Sequence, residues 1–487
     1  MPERARNWLT PAAWVAGITA ALLLIFPTGF PNYDTIYALL WGRELAHGHS
    51  PDYGAALPPT PHPLADLLGL ITTPIGDGAI TVTMIVAYVS LALCGYLVYR
   101  LGAIWFDRWI GIAAAAIVLT RAPYLSNGLR AYVDLPYIAL CLGALTIEAK
   151  RPKAGWPVLA LLALAGLLRP EAWGFSIAYW FWLVFDFHRP TGRKYLYMER
   201  NRPVGEMAWL GVLALAAPIV WILFDGITTG NFLYSLTGTQ STVETLDRRT
   251  GPVDVVLYGP RALGEVLQWP GMVGAFGGVI LGWLYLRRRS ALGIAAALLA
   301  FLAFAFLGAA GLAIIARYTM LAAAILAIFV AVALLGWRLL EPGHPGRRPW
   351  QIFAAIVALM FVLWLPNQWD LDSRVDTDLT DQGRIENDLT DLVNAGAFNP
   401  LCGQVAVPNH RAVPRLAFGL EVKPTQIISA SEEGIPKHGY FVEPASSFVI
   451  HNYILDPNDP TRFAVKKPPP GFKEVARNES WRVYQRC

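Results

Sequence analysis

The chain has 487 residues, of which 55% are hydrophobic and only 15% are charged, with a formal net charge of +4. Soluble globular domains carry about 25% charged residues, so this composition excludes a large soluble enzyme, a disordered chain and a disulfide scaffold. The mean hydropathy of +0.42 indicates a polytopic membrane protein.

Hydrophobic segments divide the first three quarters of the chain into candidate transmembrane helices, each of which needs about 17–25 residues. They predict eleven spans, several of them short, near residues 12–27, 78–99, 109–125, 131–147, 155–168, 172–186, 204–225, 271–286, 291–309, 317–337 and 350–365. The apolar run 63–76 contains Asp66 and is bounded by prolines, so we expect it at the membrane interface. Gly274, Gly278 and Gly282 recur every four residues, which predicts close helix packing.

Basic residues set the predicted orientation, because cytoplasmic loops are enriched in Lys and Arg. With the N-terminus inside, the cytoplasmic segments carry 18 basic residues and the outer loops 8, with 13 more in the tail. Counting 63–76 as a further span would move every later loop to the opposite side of the membrane. Arg287, Arg288 and Arg289 would then lie outside the cytoplasm, against the usual enrichment of basic residues in cytoplasmic loops. The pattern therefore predicts a multi-pass plasma-membrane protein with a cytoplasmic N-terminus.

The sequence changes character after residue 365. We expect residues 1–365 to form a transmembrane domain with outer loops 28–77 and 226–270, and residues 366–487 to form a small α/β domain outside the cytoplasm. The spacing of Ile385, Leu389 and Leu392 predicts a helix, and short apolar runs predict strands near 404–407, 426–428, 447–450, 472–475 and 481–484. Cys402 and Cys487 flank this region and can pair if it lies in an oxidising compartment.

Ionisable residues collect at the predicted outer ends of the spans, where they are functional candidates because charge is costly at membrane depth. One polar cavity would explain all of them: Asp34, Arg130, Asp134, Arg169, Glu171 and Arg317. Each of these residues also has a purely structural alternative. Asp34 could cap a helix, and Arg130 could pair with Asp134 at the i,i+4 spacing. Arg169 could form an ion pair with Glu171, and Arg317 could snorkel to the membrane interface. The outer-loop histidines, His47, His49 and His62, match no metal-binding spacing.

The order of these motifs resembles the GT-C superfamily, the polytopic glycosyltransferases that use polyprenyl-phosphate sugars. This superfamily includes protein mannosyltransferases, the aminoarabinose transferase of lipid A, and actinobacterial mannosyl- and arabinosyltransferases. The resemblance covers about residues 12–337. It rests on Asp34 after the first span, Asp134-Leu-Pro-Tyr137, Leu168-Arg-Pro-Glu171, and Arg317-Tyr318 at the start of a late span.

The resemblance implies an inverting transfer of a sugar, with mannose or arabinofuranose as candidates, from a polyprenyl-phosphate donor to a glycan or glycolipid acceptor. Asp34 would be the general base, and Arg317 would bind the donor phosphate with help from Arg130 and Arg169. The further substrate-binding candidates are Tyr33, Tyr37, Asp134, Glu171, His62 and Tyr318. No cofactor is expected, and no divalent metal is required, because arginines meet the phosphate and Asp34 has no acidic neighbour in sequence.

Other classes of function make different predictions from the same sequence. A nucleotide-sugar donor is disfavoured because the chain has no glycine-rich phosphate-binding motif, and no nucleic-acid partner is expected. The alternative is a transporter or flippase of a lipid-linked sugar or small solute, which would place its ionisable residues near the bilayer midplane. A non-catalytic membrane assembly protein is the third possibility.

Overall fold

The computed structural model describes residues 3–188, 197–200, 203–455 and 467–487. The α-helices of these residues are α1 (Glu3–Ile25), α2 (Tyr33–Ala46), α3 (Pro63–Thr72), α4 (Gly78–Trp105), α5 (Arg108–Leu119), α6 (Ala122–Leu129), α7 (Asp134–Lys150), α8 (Trp156–Gly166), α9 (Glu171–Val184), α10 (Val204–Thr229), α11 (Tyr234–Thr245), α12 (Pro252–Tyr285), α13 (Arg287–Ala309), α14 (Met320–Leu335), α15 (Arg347–Asn394), α16 (Val413–Gly419) and the single turn α17 (Ser447–Val449). The strands are β1 (Phe185–His188), β2 (Tyr197–Arg200), β3 (Val405–Val407), β4 (Ile427–Ser429), β5 (Gly439–Pro444), β6 (Lys473–Arg477) and β7 (Trp481–Arg486).

By helix composition the chain is a multi-pass membrane protein. Among the described residues, six helices are long and apolar enough to cross a membrane: α4, α10, α12, α13, the segment Ala316–Leu339 that contains α14, and α15. α5 and α6 meet at a bend of 62° and together form a seventh candidate. The predicted count of eleven is not reproduced, because helices such as α8, with 11 residues, are too short. At 1.5 Å per residue, α8 reaches only about 17 Å of a hydrocarbon layer roughly 30 Å thick.

The helix α14 forms the centre of the transmembrane core. Almost all of its apolar side chains are buried, and α12, α5 and α13 pack around it. Gly278 of α12 faces the backbone of α14 so closely that a Cβ atom at this position would overlap the carbonyl oxygen of Phe329. The prediction that the glycine face of residues 274–282 is a packing surface is therefore confirmed.

The predicted outer loop 28–77 contains a pair of short helices, α2 and α3. These helices pack so closely that Gly42 lies against the backbone of Gly69 and Leu70. α3 has 10 residues, about 15 Å in length, which is too short to cross the hydrocarbon layer.

The predicted outer loop 226–270 is mostly helical, which corrects its description as a loop. α11 occupies its first half, and the first part of α12 occupies its second half. Gln268, with φ 61° and ψ 162°, interrupts α12 two residues before Pro270. Proline has no N–H to bond the preceding helical turn, so the chain bends there, and the transmembrane part of α12 follows.

The C-terminal part begins with α15, which has 48 residues and runs through the predicted domain boundary at residue 365. The predicted helix at Ile385, Leu389 and Leu392 is confirmed, since these residues are buried on α15. The sheet that follows has the strand order β4-β3-β5-β7-β6. β3 is parallel to β4 and β5, whereas β7 is antiparallel to β5 and β6.

Four of the five predicted strand regions are confirmed, as β3, β4, β6 and β7. The prediction for 447–450 is wrong, because this segment begins a helical stretch that reaches Ile454. β5 was not predicted. Cys402 and Cys487 form a disulfide bond with a Cα–Cα distance of 5.0 Å, which joins the start of this region to the end of β7.

The C-terminal sheet packs directly on α2. Ile36, Tyr37 and Leu40 of α2 share a hydrophobic core with Val407 and Trp481 of the sheet region. The indole of Trp481 also donates to the carbonyl oxygen of Ile385 at 2.9 Å. The helix that carries Asp34 is thus held between the transmembrane helices and the C-terminal domain.

Candidate active site

Asp34 lies in the first turn of α2, but it does not cap this helix. The side-chain oxygen of Asn32 accepts hydrogen bonds from the backbone N–H groups of Asp34 at 2.7 Å and Thr35 at 3.2 Å. Asn32 is therefore the N-cap, and the alternative that Asp34 has this role is wrong. The Asp34 carboxylate is left for other contacts, and the amino end of α2 stabilises its negative charge.

The start of α2 is attached to the segment between α6 and α7. The Asn32 amide donates to the carbonyl oxygen of Arg130 at 2.8 Å, and the Thr35 hydroxyl donates to that of Ala131 at 2.7 Å. Ala131 has a φ of 54°, a left-handed conformation that non-glycine residues rarely adopt. These contacts place Tyr132 and the backbone of Arg130 beside the first turn of α2.

Arg317, in the short turn before α14, forms an ion pair with Asp34. Its Nη1 atom lies 3.5 Å from Asp34 Oδ2, and the side chains are 23% and 24% exposed. Its Nη2 atom donates to the Tyr318 hydroxyl at 3.4 Å, and the guanidinium lies 5.0 Å from the Tyr132 ring centroid. The Nε–H group is buried and has no hydrogen-bond partner among the described residues. The guanidinium therefore keeps donor capacity beyond its contacts with Asp34 and Tyr318.

Arg169 is held very differently, within a buried cluster of charges. Its Nη1 atom donates to Asp134, its Nη2 atom donates to Glu171 at 2.6 Å, and its Nε atom donates to Glu171 at 3.1 Å. All three side chains are at least nine-tenths buried. The mutual pairing of Arg169 with Glu171 is thus present. The alternative that Arg130 pairs with Asp134 is wrong, because Asp134 pairs with Arg169.

Tyr318 connects this buried cluster to the Asp34–Arg317 pair. Its ring lies between two guanidinium groups, with the Arg169 carbon 4.0 Å and the Arg317 carbon 5.2 Å from the ring centroid. Asp134 retains one buried carboxylate oxygen, Oδ2, without a partner among the described residues. The structure thus brings together Asp34, Asp134, Arg169, Glu171 and Arg317.

Arg130 lies at the edge of this group. Its Nε atom donates to Gln382 of α15 at 3.1 Å, its Nη1 atom donates to the Ser126 hydroxyl, and its guanidinium lies 5.7 Å from the Phe30 ring centroid. These contacts tie α6 and α15 together next to the backbone that holds Asn32. They are contacts within the protein fold and turn the guanidinium toward α15.

The predicted aromatic and histidine ligands occupy different environments. The His62 ring packs on Trp221 at a centroid distance of 5.8 Å, and its Nδ1 atom is buried without a partner in the described part of the chain. Burial, reinforced by the positive charge of Arg169, lowers the pKa of His62 to about 3, so this imidazole is neutral at pH 7. Tyr37 is fully buried in the core beneath the C-terminal sheet, which places it in packing and not on the wall of the site.

Tyr33 joins α2 to two neighbouring segments. Its hydroxyl donates to the carbonyl oxygen of Leu57 at 2.9 Å, and its ring lies 5.7 Å from that of His410 in the C-terminal domain. Burial raises the pKa of Tyr33 well above its usual value, and the positive charge of Arg411 opposes this shift. The C-terminal domain therefore places a guanidinium and an imidazole next to the first turn of α2.

An apolar groove of about 520 Å³ reaches Thr35 and Tyr132, which are neighbours of Asp34 and Arg317, although neither member of the ion pair lines it. Its wall near the pair includes Thr35, Ala131 and Tyr132, and it extends along α4, α7 and α8 to Leu97, Gly143 and Leu161. None of the described side chains that line it is charged. A groove of this composition suits a hydrocarbon chain whose polar end lies at the ion pair.

Sequence reasoning missed three residues of this region. Asn32 had a recognisable signal, because an asparagine directly before an amphipathic helix is a preferred N-cap. Tyr132 and Arg411 had none, since their proximity to Asp34 arises from contacts between segments that are distant in sequence. Among the described residues, no three His, Cys, Asp or Glu side chains are grouped so that they could hold a metal ion.

The chain shares its fold with membrane enzymes of known structure. ArnT from Cupriavidus metallidurans, solved with bound undecaprenyl phosphate, is 14% identical with a TM-score of 0.52, and the similarity covers 99% of this chain and 98% of ArnT. The archaeal oligosaccharyltransferase AglB from Archaeoglobus fulgidus, solved with an inhibitory peptide and a dolichol-phosphate, is 12% identical with a TM-score of 0.51, over 92% of this chain and 71% of AglB. No protein-family model and no curated protein sequence matches the chain. Nearly the whole chain therefore has the fold of ArnT and AglB.

Proposed function

We propose that this protein is a membrane glycosyltransferase that moves a sugar from a polyprenyl-phosphate donor to a hydroxyl group of a glycan or glycolipid. The observation that carries the proposal is the Asp34–Arg317 pair, whose neighbours Thr35 and Tyr132 line the apolar groove. The groove suits a polyprenyl chain, the guanidinium suits its phosphate, and the carboxylate suits the proton of an attacking hydroxyl. The fold adds support, because ArnT binds undecaprenyl phosphate and AglB binds a dolichol-phosphate in their structures.

The proposed reaction is a direct displacement at the anomeric carbon of the donor sugar. Asp34 takes the proton of the acceptor hydroxyl as its oxygen forms the new glycosidic bond. The bond between the anomeric carbon and the phosphate oxygen breaks, and its electron pair leaves with polyprenyl phosphate. Arg317 stabilises the negative charge that develops on this leaving group. Attack from the face opposite the phosphate inverts the anomeric centre.

The other arginines have supporting parts in this proposal. Arg169 is neutralised by Asp134 and Glu171, so it positions Tyr318 and, through this ring, the Arg317 guanidinium. Arg130 links α6 to α15 through its hydrogen bonds to Ser126 and Gln382. Asp34 and Arg317 are therefore the residues that meet the reacting groups, and neither Arg169 nor Arg130 is needed as a direct phosphate ligand.

The proposed reaction takes place on the extracytoplasmic side of the plasma membrane, with the N-terminus in the cytoplasm. The bond between Cys402 and Cys487 supports an extracytoplasmic C-terminal domain, because disulfides persist in oxidising compartments. Mannose and arabinofuranose are the sugars that we propose to test first.

The first experiment uses the purified protein in lipid nanodiscs with a panel of polyprenyl-phosphate sugars and measures the release of polyprenyl phosphate. We expect Asp34→Asn to lower transfer by about 10²- to 10⁴-fold, since general-base catalysis is lost. Donor binding and thermal stability should remain near the wild-type values. Asp77→Asn is the matched control, because Asp77 is an exposed carboxylate directly before α4.

Two outcomes would contradict the proposal. Full transfer activity in Asp34→Asn would remove Asp34 as the base. Movement of lipid-linked sugar between leaflets without release of polyprenyl phosphate would favour the transporter alternative.

A further inference from the structure

A second, polar cavity lies between the segment 53–61 and the helix α11. Its volume is about 250 Å³, and its wall includes Tyr53, Thr60, Tyr234, Ser235, Thr239 and Thr242. It is distinct from the apolar groove, with which it shares no lining residue. No part of the proposed donor chemistry uses this cavity.

Seven of the twelve residues that line the cavity carry a hydroxyl group, two of them on tyrosine rings, and the others are three prolines, Leu57 and Gly238. The rings of Tyr53 and Tyr234 lie 5.2 Å apart, inclined at 33°, and the Tyr234 hydroxyl donates to the carbonyl oxygen of Tyr53 at 3.3 Å. Aromatic faces pack against the C–H groups of a sugar ring, while hydroxyl side chains both donate to and accept from sugar hydroxyls. The side chains that line the cavity are thus suited to a carbohydrate.

The charges around the cavity favour a neutral ligand. None of the described side chains that line it is charged. Behind the wall, the buried Asp225 carboxylate accepts hydrogen bonds from the backbone N–H and the hydroxyl of Ser235, both at 2.8 Å. A phosphorylated ligand would meet this negative charge without a compensating arginine or lysine on the wall, so it would bind less well than an uncharged one.

The wall of the cavity is connected to the candidate active site at both ends. At one end, the Tyr33 hydroxyl beside Asp34 donates to the carbonyl oxygen of Leu57, which has a left-handed φ of 49°. At the other end, Pro61 precedes His62, whose ring packs on Trp221, and Trp221 donates to the Ser235 hydroxyl at 2.9 Å. The wall of the cavity is therefore hydrogen-bonded to Tyr33, the residue directly before Asp34.

We infer that this cavity binds the acceptor, and that the acceptor is an uncharged carbohydrate chain. As an assignment of the acceptor, the inference rests on the proposed glycosyl transfer. The proposed function allows any glycan or glycolipid as acceptor. This inference restricts the acceptor to a glycan or glycolipid whose sugar beside the reacting hydroxyl carries no phosphate or carboxylate group.

The test measures equilibrium binding without donor, so that it does not depend on catalysis. The probes are linear tetrasaccharides of mannose, arabinose, galactose and glucose, with a phosphorylated glycolipid, lipid A, as the anionic comparison. Gly238→Trp fills the cavity, because a Cβ atom at Gly238 meets no other atom within 4 Å. Thr237→Trp is the matched control, since Thr237 is the neighbouring residue of α11, is exposed and does not line the cavity.

We expect at least one tetrasaccharide to bind the wild type, and Gly238→Trp to weaken this binding by at least about tenfold. Thr237→Trp should bind the same tetrasaccharide as the wild type does, and both variants should bind the polyprenyl-phosphate donor normally. Unchanged tetrasaccharide binding by Gly238→Trp, binding of lipid A alone, or binding of no probe would overturn the inference. If the tetrasaccharide binds in the cavity but no polyprenyl-phosphate sugar binds or reacts, the proposed function fails and the carbohydrate site stands.

Discussion

The Arg169 guanidinium contacts two buried carboxylates, whereas Arg317 contacts one carboxylate at 3.5 Å and retains a buried Nε–H without a partner in the described chain. The two side chains have the same charge and the same five donors. Their surroundings differ, because the carboxylates of Asp134 and Glu171 already occupy the donors of Arg169. We therefore propose Arg317, and not Arg169, as the residue that binds the donor phosphate.

At the scale of single residues, we predict that Arg317→Ala lowers the affinity for polyprenyl phosphate by about 10- to 100-fold, since a charge-assisted hydrogen bond contributes roughly 1.5–3 kcal/mol. Arg317→Lys should fall between this variant and the wild type, because an ammonium keeps the charge but not the forked geometry. Titration of the purified protein with polyprenyl phosphate measures the effect.

The control for this prediction is Arg261→Ala, because Arg261 forms an exposed pair with Glu265 at 3.3 Å. Arg169→Ala provides a second comparison, and it should mainly lower the melting temperature, since it leaves two buried carboxylates without their cation. If Arg317→Ala binds polyprenyl phosphate as tightly as Arg261→Ala does, Arg317 is not the phosphate ligand.

At the scale of elements, α2 is the part that organises the site. Its first turn carries Asp34, its N-cap Asn32 holds the backbone of Arg130, and its buried face contacts the C-terminal sheet. The position of Asp34 thus depends on contacts from α6–α7 and from the C-terminal domain, and a small displacement of α2 changes its distance from Arg317.

We predict that Asn32→Ala reduces transfer more than it reduces stability. The loss of the cap costs about 1 kcal/mol of stability, and the loss of the hydrogen bond to Arg130 also releases the start of α2. The rate of transfer and the melting temperature are the two measurements. Asp107→Ala is the control, because Asp107 caps α5 in the same way, at 2.8 and 2.9 Å. Equal losses of transfer in both variants would mean that Asn32 acts through stability alone.

The elements of the C-terminal domain show which secondary structures a local sequence pattern can predict and which it cannot. The apolar runs at 404–407, 426–428, 472–475 and 481–484 are strands, but the similar run at 447–450 is helical. A short apolar run fits a strand and a buried helical turn equally well, so its structure is decided by packing. Here Val449 and Ile454 enter the core shared with α2, and β5 takes the central place between β3 and β7.

At the scale of the whole molecule, the C-terminal domain packs on the helix that carries the proposed base. The Cys402–Cys487 bond closes a loop with a sequence separation of 85 residues and joins the two ends of this domain. We predict that the double variant Cys402→Ser, Cys487→Ser lowers the stability of the domain by about 2–4 kcal/mol. Transfer activity should fall with it, because α2 loses part of its support.

Thermal unfolding and the rate of transfer, each measured with and without a reductant, check this prediction. The wild type should become less stable when reduced, whereas the double variant should not respond. Two results together would contradict the Cys402–Cys487 bond. The stability of the wild type would not change with reductant, and both cysteines would be alkylated before any reduction.

The sequence by itself determined the class of membrane protein, the candidates Asp34 and Arg317, the cysteine pair, and the existence of a C-terminal domain with strands. The class and the strands follow from composition and local spacing, whereas the roles of Asp34 and Arg317 come from the resemblance to the GT-C superfamily, and the cysteine pairing was expected only for an oxidising compartment. Only the tertiary structure decided that Arg317 meets Asp34, that Asp134 turns from Arg130 to Arg169, and that the C-terminal sheet rests on α2. Such contacts join segments far apart in sequence, and the packing of whole helices selects among the partners that each side chain could take.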